Sequence, residues 1–523
     1  MPKGLGSNFG KFGKNYDRKN PISLDIKFDQ DQDANWDEIG LVHTRPCSAI
    51  QRNSNGALVF APENRIANSE NLAALLTNNT SAGGGATVEA ASSITDPFGG
   101  NAAYKIKEAA SSAGNIYHTK FHTVTGLKTG EQYICSIYAR AGETHGLFLE
   151  SHGASTSKDH ARFGLGGDKG RQGGGAGAAT KSGYIERINN DWYRLSIVTV
   201  AASNQIHFGV RVLRQYSVVG NESTGDGNTG LYLFGMQIER CIKRTGVNSQ
   251  NTHVFMPDYH KPSAYKKTTG TAYYGPRFDY DIDGNAKGLL IEQESTNLIT
   301  HSQKVIAGTG WSATNITTDA NATEAPTGEK EASRIKTTTA SGLHIIGPAS
   351  TPSIPASTNF TYSVYLKKDS TDYAKIYHND SNSMMLQVDL NKGKITNTGS
   401  INGRSFIEDA GNGWYRVGYN HKTPSTHAVG SMFIYPTDVN GTINHSGNEW
   451  SIFAWGVQVE LGGAASSLIP TFGATATRST DVVKITGDNF TKFFNPNQGT
   501  VVFEGSVIKG LKEDSVYNRL FEF

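Results

Sequence analysis

The sequence predicts an all-β protein: two tandem β-sandwich domains of jelly-roll type, preceded by an extended N-terminal arm and followed by the start of a third β segment. Three observations predict it. Short runs alternate apolar and polar residues between Gly, Asn and Asp turns, as at residues 133–139, 195–200 and 206–212, and period-two alternation rich in β-branched and aromatic residues marks strands. Glycine is abundant at 59 residues while charged residues are only 18%, a turn-rich and well-packed composition rather than a disordered one. The third observation is an internal repeat. Phe234-Gly235-Met236-Gln237-Ile238-Glu239 returns as Trp455-Gly456-Val457-Gln458-Val459-Glu460, an offset of 221 residues (456 − 235). Trp192-Tyr193-Arg194 returns as Trp414-Tyr415-Arg416 at an offset of 222 (414 − 192). Two matches at nearly one offset mean a duplicated domain, and a period this long is a tandem pair rather than a solenoid.

In chain order, residues 1–43 form the arm. Lys3, Lys11, Lys14, Arg18 and Lys19 face a single acid, Asp17, in the first twenty residues; the next twenty carry six acids against Lys27. Such a segment buries too little apolar area to offset its chain entropy alone. It is expected to order on a partner, with Lys3, Lys11, Lys14, Arg18, Lys19 and Trp36 as docking residues. Residues 44–268 are the first sandwich, with one possible helical turn at 71–76 and a glycine-rich loop at 164–177. Residues 269–485 are the second. Here residues 360–366 match the strand at 133–139, and residues 385–390 followed by Asn391-Lys392-Gly393-Lys394 read as a strand and hairpin turn. Residues 486–523 begin a third sheet too short to close by itself, so either the natural chain continues or sister chains complete it.

Composition also limits function. Lys+Arg 49 against Asp+Glu 47 leaves a net charge of +2, no electrostatic reason to expect nucleic acid. The N-terminus has no apolar signal region and no run approaches membrane-spanning length, so the expectation is cytoplasmic synthesis without a cleavable signal and no membrane insertion. Cys47, Cys135 and Cys241 are too few and too scattered for a disulfide framework or a metal site.

The motifs carry little chemistry. Asp279, Asp281 and Asp283 open like a calcium loop, but position twelve is Leu290 instead of a bidentate Glu; an Asp-Gly turn into a strand is the plainer reading, and no cofactor is expected. The glycine tract lacks GxxxxGK[ST] and GxGxxG and opens no helix, so it is not a phosphate cradle. Trp192, Tyr193, Arg194, Trp414, Tyr415 and Arg416 are the candidate glycan platforms, since aromatic faces stack on sugars. On a strand, however, Trp and Arg share one face and Tyr the other, so one face should be core and the other exposed, and a structural role is preferred for these and for Gln237/Glu239 and Gln458/Glu460. No carboxylate pair, GxSxG or HExxH is recognisable; the chain is not expected to be an enzyme.

The second repeat resembles a module of tailed-bacteriophage virion proteins, found in tail fibres and other appendages. The likeness rests on Pro276-Arg277-Phe278-Asp279-Tyr280-Asp281, Gly288-Leu289-Leu290-Ile291-Glu292, Ser295-Thr296-Asn297-Leu298, Gly413-Trp414-Tyr415-Arg416-Val417, Trp455 to Glu460, Leu468-Ile469-Pro470-Thr471 and Ala476 to Val482. The first repeat is similar more loosely, with Glu63-Asn64-Arg65-Ile66 where the second has its Pro-Arg-Phe-Asp-Tyr, and the start of the third, lectin-like β segment resembles concanavalin- or laminin-G-like lectin sandwiches. The resemblance implies carbohydrate-binding-module-like jelly rolls on a virus particle, usually in homotrimers. It further implies other virion proteins as partners of residues 1–40, and host-surface glycan as a ligand. A capsid decoration or head fibre, a spacer without glycan affinity, and a glycan depolymerase are the competing classes.

Overall fold

The structure is a computed structural model that describes residues 40–77, 85–110, 118–152, 158–165, 171–173, 183–189, 191–201, 203–214, 225–241, 261–378, 384–424 and 432–497. The expected arm, with Lys3, Lys11, Lys14, Arg18, Lys19 and Trp36, lies outside the described residues. So do the expected strands beyond 497 and most of the glycine tract.

The architecture is all-β, in two sandwiches. In the first, a six-stranded antiparallel sheet runs in the order Gly183–Arg187, Trp192–Val200, Gln132–Arg140, Gly230–Cys241, Tyr104–Lys107, Thr87–Ala90. A five-stranded sheet faces it, in the order Arg171–Gly173, Lys158–Gly164, Gly146–His152, Gln205–Leu213, Thr119–Thr125. Tyr133, Cys135, Ile137, Leu195 and Ile197 from one sheet meet Leu147, Leu149, Phe208 and Val210 from the other in a single core. The alternation of these residues is what closes the sandwich: side chains at i and i+2 share a face.

The second sandwich repeats this order. Its six-stranded sheet runs Ser405–Gly411, Trp414–Lys422, Asn359–Lys368, Ser451–Leu461, Lys330–Thr337, Ile316–Glu324. Its facing sheet has seven strands, from Ile306–Ala307 to Lys394–Asn397. The expected helical turn is real but short, Leu72–Leu75, capped by the Asn71 side chain.

The Gly of the repeated motif has a specific task. Gly235 and Gly456 take φ of +51° and +64°, and the ladder slips register at each, between Phe234 and Met236 and between Ser363 and Tyr365. The bulge re-phases the alternation. Leu231 and Leu233 before it and Met236 and Ile238 after it all reach the core. Without it, Gln237 and Glu239 would point inward. The second repeat does the same with Ile452, Ala454, Val457 and Val459.

Five small ribbons stitch the sandwiches together: Leu41–Thr44 with Val482–Ile485, Ile50–Arg52 with Leu58–Phe60, Glu63–Asn64 with Tyr273–Tyr274, Arg277–Tyr280 with Ala286–Leu290, and Ser295–Asn297 with Ala476–Arg478. They lie on both sides of the expected boundary at residue 44. The hairpin Ile50–Arg52/Leu58–Phe60 precedes the first sandwich in sequence, yet Ile50 and Leu58 pack with Tyr365, Trp414 and Trp455 of the second. The Leu58 amide donates to the Pro326 carbonyl at 3.1 Å. Apolar burial, which is blind to chain order, decides where the hairpin goes.

Candidate functional site

The two copies share a buried polar frame. Asn64 donates through Nδ2 to the carbonyls of Met236 and Lys266, and its Oδ1 accepts from Ile66 and Ile238. Asn297 makes the same four bonds, to Val457, Ile469, Ile299 and Val459. Asn64 is therefore the counterpart of Asn297, which corrects the matching of Glu63-Asn64-Arg65-Ile66 with Pro-Arg-Phe-Asp-Tyr. The true counterpart of that stretch is the strand at Ile50–Arg52. Its hairpin turns on Asn53, whose Oδ1 accepts from Asn55 and Ala57, as Asp281 accepts from Asp283 and Asn285.

The same equivalence bears on the stretch of Asp279, Asp281 and Asp283. Asp281 is engaged by its own turn, Asp279 Oδ1 accepts from the Arg52 amide, and a neutral Asn does the job of Asp281 in the other copy. Among the described residues no group of three or more His, Cys, Asp or Glu side chains converges to hold a metal.

Gln237 and Glu239, on the outer face of their strand, bind the returning segment. Gln237 Oε1 accepts from the Lys266 amide and Glu239 Oε1 from that of Ser263; Gln458 and Glu460 hold Ile469 and Ser466 in the same way. Burial pushes the Glu239 carboxyl up, and its bonds from Ser263 do not fully oppose the shift.

The candidate platforms are internal. Trp192, Tyr193, Arg194, Trp414 and Arg416 are buried, and Tyr415 is half-buried. Trp192 Nε1 donates to Thr95 O and Trp414 Nε1 to Glu324 O; Arg194 reaches Ser136 and Ser263, and Arg416 reaches Ser363 and Ser466. No indole face is open to a sugar. The expected exposed face is absent in the first copy because segments around residues 94–103 and 263–268 cover the outside of the sheet.

A charge cluster unforeseen from sequence lies where the ribbons meet. Arg277 is fully buried and pairs with Glu292 at 2.5 Å and with Asp481. Asp481 also takes Arg45 at 2.6 Å and His43 at 3.1 Å, and Arg478 lies 3.5 Å from Glu292. Burial raises both carboxyls, but the neighbouring cations and hydrogen bonds win, and both end below the usual carboxylate range. The cluster ties residues 43–45, 277–292 and 478–481 together; it is a clasp.

The open feature lies on the outer face of the first sandwich. Tyr138, Trp192 and Phe234 form a cluster there with Ala103. The corresponding residues of the second sandwich are Tyr365, Trp414, Trp455 and Ala332, and these carry the hairpin of residues 50–60 as a lid. In the first sandwich no described hairpin lies there; the segments around residues 94–103 and 263–268 cover the cluster, with Phe98 as the outermost ring. Phe98 lies 5.5 Å from Tyr138, 5.8 Å from Phe234 and 5.8 Å from Tyr265, stacked at 18° on the last. It is still 61% exposed. Beside it is a solvent-open pocket of ≈ 430 Å³ lined by Glu70, Phe98, Asn101, Phe234, Tyr265 and Lys267 among others. The sequence holds a signal for it: Asp96-Pro97-Phe98-Gly99-Gly100 aligns with Ala325-Pro326-Thr327-Gly328-Glu329, an aromatic replacing a threonine in one of two copied turns.

No helix among the described residues is long and apolar enough to cross a membrane. No protein-family model matches the chain, and no curated protein does. Among solved structures, the tandem CBM22-1–CBM22-2 domains of Paenibacillus barcinonensis Xyn10C are similar over 79% of this chain and 99% of theirs, at 10% identity and a TM-score of 0.23. Vicilin from Solanum lycopersicum (tomato) covers 69% of this chain and 76% of its own, at 9% identity and a TM-score of 0.10. Vicilin from Capsicum annuum covers 70% and 85%, at 8% and 0.11. At TM-scores this low none of these likenesses bears on function, and the tandem β-sandwich architecture rests on the sheets themselves.

Proposed function

We propose that the chain is a structural protein of a bacteriophage particle, a tail fibre or similar appendage. It attaches through residues 1–40, associates as a homotrimer and uses its sandwiches for spacing and for recognition of host-surface glycan. The observation that carries the reading is the convergence of the motif residues of the second repeat. Arg277, Glu292, Asn297, Gln458, Arg478 and Asp481 are spread along the chain, yet hydrogen bonds through Ser466, Ser467 and Ile469 join them into one buried network. What supports the resemblance to phage appendage modules is that the residues carrying it belong to one folding unit. The split charge of residues 1–40 supports an arm that orders on another virion protein. No catalytic role is part of the proposal.

Cryo-EM of intact particles beside particles whose protein lacks residues 1–40 tests it. Density lost from the tail supports the appendage. Loss from the capsid reassigns the protein to a head fibre or decoration, and no loss anywhere removes the attachment role of the arm.

A further inference from the structure

We propose that the pocket under Phe98, on the outer face of the first sandwich, binds a pyranose unit of an uncharged oligosaccharide; this rests on the glycan-recognition reading above and names its site. The first argument is the difference between the copies. The aromatic floor is duplicated, but in the second sandwich it lies under the hairpin of residues 50–60, with Ile50, Leu58 and Phe60 against it. In the first sandwich no described hairpin lies there, and the segments around residues 94–103 and 263–268 bury the cluster instead. The copied turn sets Phe98 outermost in that cover, and the residue is 61% exposed. An exposed aromatic ring beside a concavity with polar groups at its edge is the arrangement of a small-ligand site.

The second argument is that Phe98 is held ready. The carboxylate of Asp96, itself buried, accepts from the amides of Phe98, Gly100 and Ala102 at 2.9, 3.0 and 3.2 Å. The second copy closes the same turn with Ala325, which has no carboxylate; there the backbone bonds Ala325 N to Glu329 O and Gly328 N to Ala325 O are joined by one side-chain bond within the turn, from the Glu329 amide to Thr327 Oγ1 at 3.3 Å. The turn that presents an exposed ring is thus held by three bonds to a carboxylate where its copy has one to a hydroxyl. Rigid presentation lowers the entropy lost on binding. Beneath, the Tyr265 hydroxyl shares a 2.8 Å bond with Ser69 Oγ, which fixes the second ring of the stack.

The third argument is the chemistry of the rim. A pyranose has an apolar C–H face and a belt of hydroxyls, so it needs an aromatic plane with planar polar groups at its edge. Phe98 supplies the plane. Glu70, Lys267 and the exposed Asn101 supply acceptors and donors. Lys267 Nζ and Glu70 Oε2 are paired at 2.6 Å and neutralise each other, and the oxygens of Asp96 are committed to the turn. The rim therefore offers hydrogen bonds without a strong net field, which selects a neutral sugar over an anionic one. A β-hairpin from another copy is the competing occupant. The ring of Phe98 stands over the floor where such a hairpin would sit, so the sugar is favoured.

The test uses the full chain on a panel of immobilised O-antigen and capsular oligosaccharides, with the strongest ligand then titrated by calorimetry. Phe98→Ala should weaken binding by about tenfold or more, while Phe98→Trp stays within about threefold of wild type and Val439→Ala, at an exposed apolar residue of the second sandwich, changes nothing. Unaltered thermal unfolding of Phe98→Ala shows that the fold is kept. A wild type that binds sugar no better than Phe98→Ala overturns this site and leaves glycan recognition standing. A wild type that binds nothing on the panel overturns glycan recognition, and the site with it. Sugar binding unchanged while Phe98→Ala shifts the sedimentation coefficient overturns the proposal in favour of a contact between copies.

Discussion

The outer faces of the two sandwiches start from the same residues and end differently. Tyr138, Trp192 and Phe234 in one stand where Tyr365, Trp414 and Trp455 stand in the other. The second face is sealed by a hairpin that belongs, by sequence, to the first repeat, and is interior. The first is covered by the segments around residues 94–103 and 263–268, which leave Phe98 exposed and a pocket beside it. The difference shows that a duplicated frame fixes the sheet but not the fate of its outer surface. What lands on that surface depends on which chain segment lies within reach: a hairpin from the other repeat in the second sandwich, and only the segments around residues 94–103 and 263–268 among the described residues of the first.

The strongest way to break the comparison is to open the clasp. Arg277 Nη1 reaches Ile50 O at 3.3 Å as well as Glu292, so it holds the lid as well as the ribbons. Arg277→Met should cost about 3–5 kcal/mol, because it leaves two buried carboxylates short of a cation. Chemical denaturation should show the loss in the second sandwich, followed through Trp414 and Trp455. An unfolding midpoint equal to wild type would mean that the clasp holds nothing.

Removing one apolar contact of the lid is the next test. Leu58→Ala should cost about 2–4 kcal/mol for a buried leucine that loses its packing. The unexpected part is the location: residue 58 precedes the first sandwich, yet limited proteolysis should reveal new cleavage in the second.

Acid sharpens the same point. Glu292 and Asp481 titrate below the usual carboxylate range in the folded protein, so the stability they confer is complete above their unfolded values. It is lost as pH falls below about 4 and through their folded values. The melting temperature should therefore decline steeply on that limb. Asp481→Asn should lower stability at neutral pH and flatten the decline; an unchanged slope would rule the clasp out as its source.

Gly456→Ala forces a side chain into positive φ against the Tyr365 ring, 2.8 Å from the new carbon. It should cost about 1–3 kcal/mol, and Gly235→Ala should match it, since the bulge is common to both copies. Phe98→Ala is the smallest expected effect, within about 0.5 kcal/mol for so exposed a side chain. Calorimetric unfolding checks all three, and a large loss for Phe98 would mean that it acts as a structural lid after all.

The sequence by itself determined the all-β class, the duplication and the position of most central strands, since alternation and repetition are local properties of the chain. The runs at 133–139 and 195–200 lie within Gln132–Arg140 and Trp192–Val200. It also carried the recurring Gly-x-Gln-x-Glu, although not its reason, because a register shift exists only between paired strands. Only the tertiary structure decided that Trp192 and Trp414 are buried on both sides, that Asn64 rather than its neighbours answers to the second repeat, and that residues 50–60 cap the other sandwich. It alone brought Arg45, Arg277 and Asp481 into contact, from positions hundreds of residues apart. Burial and ion pairing depend on what arrives from elsewhere in the chain, and alternation along one strand holds no record of that. Phe98 illustrates the division: the sequence shows an aromatic in a copied turn, and the fold makes it the rim of a pocket.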